Sequence, residues 1–412
     1  MMRILAWLAG LVALALAVAL MVAPGMAERS MNKIEGSGVW PVSKAARDLH
    51  KRLVIVDLHG DTLLWKRELQ KRSDRGQIDL PRLQAGNVAL QIFSSVTKTP
   101  KGQNYESNGG DTDNITLLAI AQMQPVRTWN SLLERSLWHA EKLRRAEAAS
   151  GGALWIVRSS ADIQKLLAER RSGRPATGAM LSVEGAQNLE GKRENLGALY
   201  TAGFRMIGLA HFFDNEVAGS MHGLEKHGLT PLGRAVVRDM EARGMVVDLA
   251  HASAATFAET LAMARRPVVV SHGGVKGTCD TPRNLTDAQL RALAANGGMI
   301  GIGYWDAAVC APTPKATAAA ILHVIKVAGI DHVGLGSDFD GAVTTGFDTA
   351  HIDAVTQALL SAGLGEAEIA QVAGGNALRL LEAGLRPLAP SAPAVPAASA
   401  AALPLGEPAA AR

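Results

Sequence analysis

Cysteine is nearly absent from this 412-residue chain, which contains only Cys279 and Cys310. Two cysteines exclude a zinc module built from many cysteine ligands, and they leave room for one disulfide at most. A strong charge excess is also missing, since the formal net charge at pH 7 is +4. The densest basic run, at residues 66–75, has no interleaved aromatic residues. We therefore expect a solvated helix face there and no nucleic-acid partner.

The beginning of the chain has the composition of an export segment. Arg3 precedes an uncharged apolar stretch at residues 4–22, and Pro24 and Gly25 are expected to end it. Residues 1–27 are therefore predicted to be a signal peptide or an N-terminal anchor. The many alanines favour a cleaved signal over a membrane tether. Either interpretation predicts an exported protein, periplasmic or otherwise extracytoplasmic, with residues 28–45 as a linker.

The end of the chain is dominated by alanine and proline, from residue 387 to residue 412. Such a composition cannot bury enough apolar surface to offset the entropy of ordering, so we expect a disordered tail. The tail also lacks the continuous hydrophobic end that a lipid-anchor signal requires. Residues 46–386 remain as a single domain, and they contain no sequence repeat.

Eight short apolar runs lie in this domain, and amphipathic helical patterns separate them. Eight strands that alternate with helices predict an α/β fold, a closed parallel (β/α)8 barrel. The long stretch at residues 98–178 contains a further apolar segment, ALWIVRS, and we expect this stretch to lie near the mouth of the site. The eight runs begin at Leu53, Val88, Ala179, Phe204, Met245, Pro267, Met299 and His332.

Ionisable residues stand where these strands are predicted to end, which is the end of a barrel that carries the active site. The first run ends in DLHGD, and because side chains alternate along a strand, Asp57, His59 and Asp61 are predicted to share one face. A metal ion would compensate these groups, although a solvated strand end gives the same local pattern. His251 and His272 end two successive runs, where a hydrogen-bonded core histidine is the alternative for either one alone.

Glu184 ends a run that lies between these two sets. Imidazole and carboxylate ligands together suit zinc and related divalent ions. Five ligands exceed the needs of one tetrahedral zinc ion, whereas two ions that share a bridging carboxylate would use all five. The predicted ligands are His59, Asp61, Glu184, His251 and His272.

Two aspartates follow the eighth strand, which is next to the first in a closed barrel. Asp338 is not needed as a ligand and is well placed to move protons. Asp340 is interpreted as a turn residue of the sequence DFDG. The other histidines are expected to be structural or solvated, and they are His50, His139, His222, His227, His323, His332 and His351.

The ordered set of motifs resembles the renal (membrane) dipeptidase family, including its bacterial members. The resemblance covers residues 45–383, and the motifs are DLHGD, SVEGA, LAHFFDN, VVDLAHAS, VVVSHGG, PRNLTD, GLGSDFDG and GGNALRLLE. It implies a TIM barrel of the metal-dependent hydrolase type that cleaves dipeptides with two zinc ions per chain. In this resemblance His59 and Asp61 match ligands of one zinc ion, His251 and His272 match ligands of the other, and Glu184 matches the bridge.

The resemblance also implies roles for residues outside the ligand set. His211 matches the histidine that stabilises the oxyanion, and Asp338 matches the aspartate that shuttles protons. Arg283 matches the arginine that holds the terminal carboxylate of the substrate. Cys279 and Cys310 lie where the family has one disulfide, and family members are often homodimers.

One departure concerns the carboxylate site, where the relatives use a tyrosine shortly before the second cysteine. Ala307 occupies that position here, and Tyr304 and Trp305 come a few residues earlier. The departure leaves the side-chain preference open.

The expected reaction is hydrolysis by a metal-bridging hydroxide, with a dipeptide as the substrate. One alternative is another barrel amidohydrolase, dihydroorotase-like or deaminase-like, acting on a small cyclic amide or amine. Such enzymes have His-x-His on the first strand and often a carboxylated lysine on the fourth. This chain has His-Gly-Asp on the first strand and no lysine in FRMIGLAHFF. A second alternative is an exported binding barrel without catalysis.

Overall fold

A computed structural model describes residues 2–388, with part of the side chains in the first helix left out. Most of the predicted tail, residues 389–412, lies outside the described residues. The strands are β1 (Lys33–Ile34), β2 (Ile55–Asp57), β3 (Val88–Val96), β4 (Leu154–Ile156), β5 (Thr177–Glu184), β6 (Phe204–Gly208), β7 (Val246–Asp248), β8 (Val269–Gly273), β9 (Met299–Ile302), β10 (Val333–Leu335) and β11 (Thr344–Thr345).

Eight of these strands form a closed parallel barrel, which confirms the predicted fold. The order of the main sheet is β3-β2-β10-β9-β8-β7-β6-β5-β4, and a further pairing of β3 with β5 closes the ring. Every pairing in the sheet is parallel. The carboxyl ends of the eight strands therefore meet at one end of the barrel, as in other (β/α)8 folds.

The ninth strand, β4, is part of the segment ALWIVRS and corrects one expectation. Its residues Leu154–Ile156 pair with Thr177–Ala179, the beginning of β5. Because Glu184 is at the other end of β5, this segment lies away from the mouth of the site. The preceding loop does reach the mouth, where Thr99, Gln103 and Tyr105 line the cavity.

Helices connect the strands and begin at residues that suit helix starts. Thr230 accepts a hydrogen bond from Gly233 N ahead of a first-turn proline, and Thr286 forms a capping box with Gln289. The helices are α1 (Met2–Met31), α2 (Lys44–His50), α3 (Leu80–Ala85), α4 (Asn114–Ala121), α5 (Arg127–Asn130), α6 (Leu132–Ala149), α7 (Ser160–Arg171), α8 (Asn195–Ala202), α9 (Pro231–Arg243), α10 (Ala254–Met263), α11 (Asp287–Ala295), α12 (Asp306–Val309), α13 (Pro314–Ala328), α14 (Asp353–Ser361), α15 (Glu366–Ala370) and α16 (Asn376–Gly384).

Close packing inside the barrel depends on two glycines beside the strands that carry the predicted metal ligands. A Cβ atom on Gly301 would lie 2.2 Å from the carbonyl oxygen of Ser271, and one on Gly336 would lie 1.9 Å from it. Only glycine leaves room for this backbone approach. The contact brings β8 and the chain after β10 together at the level of His272.

The N-terminal residues differ from the expectation of a segment broken at Pro24 and followed by a free linker. Helix α1 continues through Pro24 to Met31, and β1 pairs in parallel with β11. The indole N–H of Trp40 donates to the carbonyl oxygen of Gly346 at 2.8 Å. These contacts attach residues 28–45 to the barrel. Within residues 2–388, no helix has both the length and the apolar composition needed to cross a membrane.

The basic run at residues 66–75 forms turns and bends and not the expected helix face. The reason is that Arg67 points inwards, where it forms ion pairs with Glu28 and Asp340. An exposed helix would need the polar side chains of this run to face solvent. The run therefore joins the N-terminal residues to the loop after β10.

A disulfide joins Cys279, in the loop after β8, to Cys310, at the end of α12. We predict that unreduced, unfolded protein has no free thiol in a thiol titration. Cross-linking a loop with a sequence separation of 31 residues restricts the unfolded chain. The double variant Cys279→Ser, Cys310→Ser should therefore lose ~3–4 kcal/mol of unfolding free energy in urea.

Reduced wild-type protein is the matched control, and it should unfold at the same lower urea concentration as the double variant. Two free thiols in the unreduced protein would contradict the prediction.

Candidate active site

The five predicted metal ligands converge at the carboxyl end of the barrel. His59 and Asp61 follow β2, Glu184 ends β5, His251 follows β7 and His272 is in β8. Each residue is at most 5% exposed. Polar residues at the ends of otherwise apolar strands therefore meet in one buried site, as the sequence predicts.

Glu184 is the centre of this cluster. Its Oε1 atom lies 3.1 Å from Nε2 of His251, 3.3 Å from Nε2 of His272 and 3.6 Å from Nε2 of His59. Its Oε2 atom lies 3.5 Å from Nε2 of His211. Burial would raise the pKa of Glu184, but His211 and His59 hold it well below its ordinary value. The carboxylate is therefore ionised and faces four imidazoles.

Several buried nitrogen and oxygen atoms of the cluster have no hydrogen-bond partner among the described residues. Two of them, Nε2 of His59 and Oδ1 of Asp61, lie 3.5 Å apart. Buried polar atoms without partners are costly, and a divalent cation between them would satisfy both. Burial lowers the pKa values of His251 and His272 well below the ordinary value, so both imidazoles are neutral, the form that binds metals. The residues present therefore fit a metal centre.

The donor atoms form three overlapping groups, and the atoms of each lie within 4.8 Å of one another. Glu184 is a member of two groups, and His59 is also a member of two. The groups are His59 with Glu184 and His272, Glu184 with His211 and His251, and His59 with Asp61 and Asp338. Overlapping groups have room for more than one ion.

A layer of buried hydrogen bonds orients His272. Its Nδ1 atom lies 2.9 Å from the hydroxyl of Ser271, which donates to Oδ2 of Asp248 at 2.6 Å. The backbone N–H groups of Ala250 and Ser271 donate to Oδ1 of Asp248, each at 2.9 Å. These bonds fix the imidazole so that its Nε2 atom faces Glu184, a supporting role that is common around metal ligands.

Asp57 corrects the prediction that Asp57, His59 and Asp61 share one face of the first strand. Its carboxylate accepts hydrogen bonds from the hydroxyl of Ser337 at 2.6 Å and from the backbone N–H of His59 at 3.3 Å. Because β2 ends at Asp57, strand alternation does not continue to His59 and Asp61. Asp57 therefore supports the chain behind the ligands and is not among the grouped donors.

Two residues of the site have strained backbones. His251 has a φ of 62° and Asp338 a φ of 58°, in the left-handed region that side chains other than glycine rarely adopt. Such strain costs about 1–3 kcal/mol per residue and persists where the surrounding structure holds it. Sequence patterns carry no signal for it, and it directs both side chains into the cavity.

Asp338 has the environment of a proton carrier. It is 8% exposed, and its Oδ1 atom is 3.9 Å from Nε2 of His59. Burial raises the pKa of Asp338 well above its ordinary value, and the negative charges of Asp61 and Glu184 raise it further. A carboxyl group in this position can hold a proton that an ordinary aspartate would release.

Asp340 does not enter the cluster, which agrees with its interpretation as a turn residue. Its carboxylate accepts hydrogen bonds from Gln77 N at 2.6 Å and from the hydroxyl of Thr62 at 2.7 Å, and it pairs with Arg67. These partners belong to the loop after β2. Asp340 therefore holds two loops together beside Asp338.

Arg283 reaches the cavity from the loop after β8. It is 1% exposed, its Nη2 atom donates to the carbonyl oxygen of His272 at 2.7 Å, and its guanidinium lies 5.7 Å from the ring centre of Trp305. Its Nε atom has no partner among the described residues. A buried guanidinium with spare donors is suited to binding an anion in the cavity.

Tyr105 is a cavity residue that sequence reasoning missed. Its hydroxyl accepts a hydrogen bond from the indole N–H of Trp305 at 3.1 Å, and burial raises its pKa to about 12. The phenol therefore keeps its proton and can donate it to a ligand. Tyr304 is closer in sequence to the position at which the relatives have their carboxylate-binding tyrosine. Its ring packs instead against Phe339 and Phe347 in the core.

His222 was expected to be structural, and the structure places it beside the site in a supporting position. Its ring stacks on Phe212 with the centres 4.9 Å apart, and it lies 5.2 Å from the ring of His251. Its Nδ1 atom is 2.8 Å from the carbonyl oxygen of Tyr105. His222 thus fixes the backbone that carries Tyr105.

The cavity above the cluster has a volume of about 570 Å³, which is suited to a small molecule. Polar residues line its floor, and apolar residues form much of its walls. The floor includes Asp61, Glu184, His211, His251, Arg283 and Asp338, and the walls include Leu64, Trp65, Val96, Ile115 and Leu118.

Comparisons with known proteins agree with this geometry. A family model described as membrane dipeptidase (Peptidase family M19) matches residues 43–385. Dipeptidase verJ of Clonostachys rogersoniana is 31% identical over 315 residues, which cover 74% of this chain and 75% of that protein.

Solved structures show the same fold. The probable dipeptidase PvdM from Pseudomonas aeruginosa aligns with a TM-score of 0.68 at 20% identity, covering 83% of this chain and 98% of that chain. A metallopeptidase from Rhodobacter sphaeroides, liganded with a phosphinate mimic of the dipeptide L-Ala-D-Ala, aligns with a TM-score of 0.64 at 22% identity, covering 81% of this chain and 99% of that chain. At these identities the likeness concerns the fold alone.

Proposed function

The chain belongs to the membrane dipeptidase family and is a metallo-dipeptidase, a hydrolase, and on that premise we propose that it cleaves dipeptides with two zinc ions. The observation that carries the proposal is the position of Glu184, whose carboxylate lies within 3.6 Å of the Nε2 atoms of four histidines. Nitrogen and carboxylate oxygen donors without sulfur suit zinc.

In this proposal Glu184 is shared by the two ions. His59 and Asp61 would hold one ion, and His251 and His272 would hold the other. When bound, a pair of zinc ions lowers the pKa of a water molecule to near neutrality and so supplies a hydroxide nucleophile. The protein fixes the ligands in advance through the bonds from Ser271 to His272 and Asp248.

Asp338 and His211 are proposed to act on the peptide bond. Asp338 accepts the proton of the attacking water and passes it to the departing amine, a transfer that its raised pKa favours. His211 lines the cavity within 3.5 Å of Glu184, and it stabilises the carbonyl oxygen as negative charge develops there.

Arg283 is proposed to hold the free carboxylate of the substrate. Its guanidinium is planar and can donate two parallel hydrogen bonds to a carboxylate. Tyr105 lies beside it against Trp305 and can add a third donor. A residue after the scissile bond must then carry a free carboxylate, which would restrict the enzyme to dipeptides.

Another barrel amidohydrolase, the alternative from sequence, is not favoured. A dihydroorotase-like or deaminase-like site would use a second histidine on the first strand, where this chain has Asp61.

Export is a further proposal, and the disulfide between Cys279 and Cys310 supports it, because disulfides persist outside the cytoplasm. The membrane tether and the homodimer stay predictions of the N-terminal composition and of the family resemblance.

Metal content tests the proposed site directly. We predict that pure, active protein contains about two zinc equivalents per chain, as expected for a two-metal hydrolase. Removal of the metal with a chelator should abolish turnover and also lower the melting temperature, because the ions bind the folded state. The variant Glu184→Gln should bind less metal and lose activity. Full activity at one zinc ion per chain would refute the shared role of Glu184.

The proposed role of Asp338 predicts that its substitution lowers kcat without lowering the zinc content. Asp338→Asn keeps the size of the side chain but cannot accept a proton, so we expect unchanged zinc content and a loss of at least about 100-fold in kcat. Asp340→Asn is the matched control, because its carboxylate bonds to Gln77 and Arg67 outside the site. This control variant should lower the free energy of unfolding and should reduce kcat much less than Asp338→Asn does. Near-normal turnover of Asp338→Asn would remove this residue from the mechanism.

The role of Arg283 predicts a dependence on the charge of the substrate. Arg283→Lys and Arg283→Ala should both retain zinc and reduce kcat/KM on free dipeptides about 100-fold, because neither restores the bidentate bond. Dipeptides with an amidated carboxyl end should be poor substrates of the wild type and should lose much less from either substitution. Equal losses on free and amidated dipeptides would show that Arg283 acts in another way.

A further inference from the structure

The end of the N-terminal helix forms part of the cavity that contains the metal ligands. Four residues of α1 line this cavity together with Asp61, Glu184 and Asp338. We call them the N-terminal wall, which consists of Ala23, Pro24, Ala27 and Met31. A segment expected to be a signal and a linker therefore contributes to the surface that a substrate meets.

A buried ion-pair network attaches this wall to the barrel. Glu28 is 1% exposed, and its carboxylate pairs with Arg67 and, at 2.7 Å, with Nε of Arg75. Arg67 also pairs with Asp340, two residues after Asp338. Removing one partner of a buried charge pair is strongly destabilising, because the other charge stays buried. Glu28 therefore fixes the wall relative to the loop that carries Asp338.

Two further contacts hold the same turn of chain. The side-chain oxygen of Asn32 accepts a hydrogen bond from Ala342 N at 2.8 Å, and β1 pairs with β11 directly afterwards. On its other side α1 packs against α4, whose residues Ile115 and Leu118 also line the cavity. The wall is thus held between the connections that follow β3 and β10.

Strand order places the strand that precedes α4, the helix packed against the wall, across the barrel from the strand that precedes Arg283. The barrel runs in the order β2, β3, β5, β6, β7, β8, β9 and β10, so that β3 is opposite β8. Arg283 follows β8, whereas α4 follows β3. A dipeptide with its carboxylate on Arg283 and its peptide carbonyl beside Glu184 would extend its amino-terminal side chain towards the wall.

The surface on this side is largely apolar, and the connection after β3 adds the polar residues Thr99, Gln103 and Asn114. Met31 and Ala27 of the wall face the cavity together with Leu64, Ile115 and Leu118. An apolar surface binds side chains that lose hydration favourably, and it gives no partner to a charged one.

From this juxtaposition we propose that the N-terminal wall binds the amino-terminal side chain of the substrate and selects dipeptides whose first residue is apolar. Met31 is the specificity-determining contact, and Glu28 is a positioning residue. Both lie after residue 27, so they remain if the expected signal peptide is removed, whereas Ala23, Pro24 and Ala27 would be removed with it. The proposal therefore assigns the selecting contact to Met31 and not to the other members of the wall. The proposal rests on the proposed role of Arg283, which sets the direction of the dipeptide.

The test compares kcat/KM for Leu-Ala, Gly-Ala and Lys-Ala with zinc-loaded protein expressed from the full chain. The wild type should prefer Leu-Ala to Lys-Ala by about tenfold or more, the range that apolar pockets give. Met31→Asp should reduce the rate on Leu-Ala about tenfold relative to Lys-Ala, with unchanged zinc content. Ser30→Asp is the matched control, because it adds the same charge one residue away outside the cavity lining, and it should keep the wild-type ratio.

The variant Glu28→Gln tests whether Glu28 positions the N-terminal wall or only stabilises the fold. It keeps the size of the side chain and removes the charge that pairs with Arg67 and Arg75, so the Leu-Ala to Gly-Ala ratio should fall towards one through KM rather than kcat. Glu28→Asp should restore part of the ratio. An equal change on all three dipeptides in Met31→Asp, or a wild-type ratio in Glu28→Gln, would overturn the proposal. Different measurements would refute the proposed function, namely the zinc content and the activity of Arg283→Lys on amidated dipeptides.

Discussion

Glu184 ends β5 with an ionised carboxylate that is buried among the Nε2 atoms of four histidines, at distances of 3.1–3.6 Å. A carboxylate in apolar surroundings would be neutral, because burial disfavours the charged form. Here His211 and His59 hold the pKa of the carboxyl well below its ordinary value, and hydrogen bonding to His251 and His272 lowers it further, so that the group stays ionised. The ends of β2, β5, β6, β7 and β8 must therefore meet at one point, which a closed barrel of eight strands provides.

Hydrogen bonds from the surrounding residues hold these buried polar side chains together, although burying them is unfavourable. Asp248 and Ser271 orient His272, and Ser337 holds Asp57 behind the chain that carries His59. The carboxylates of Asp57 and Asp248 are buried and accept backbone N–H bonds, so that they hold an orientation with little further loss of side-chain entropy. The strained backbones of His251 and Asp338 can persist only because such bonds and the close packing around Ser271 determine their surroundings.

The sequence predicts the parts of this arrangement that depend on pattern. Apolar runs that end in histidine or carboxylate indicate both the strands and the ligands, because an unpaired charge on a buried strand needs a partner. The sequence pattern does not indicate Tyr105, because the loop that carries it has no periodicity. It also does not indicate the supporting role of Asp57, because β2 ends earlier than the expected strand alternation assumes. It also misplaces the segment ALWIVRS, since an apolar run of this length gives no indication of which end of a neighbouring strand it will join.

The placement of the N-terminal residues depends on contacts that composition does not indicate. Apolar length predicts export, but the position of the following turn depends on three charged residues distant in sequence, Glu28, Arg67 and Asp340. Arg67 lies between the two carboxylates, and leaving it with only one would place an excess charge in a buried site. The same network joins the helix end to the loop that carries the proton carrier. The proposed N-terminal wall and the proposed proton carrier, which lie at opposite ends of the chain, are therefore joined through one set of buried charges.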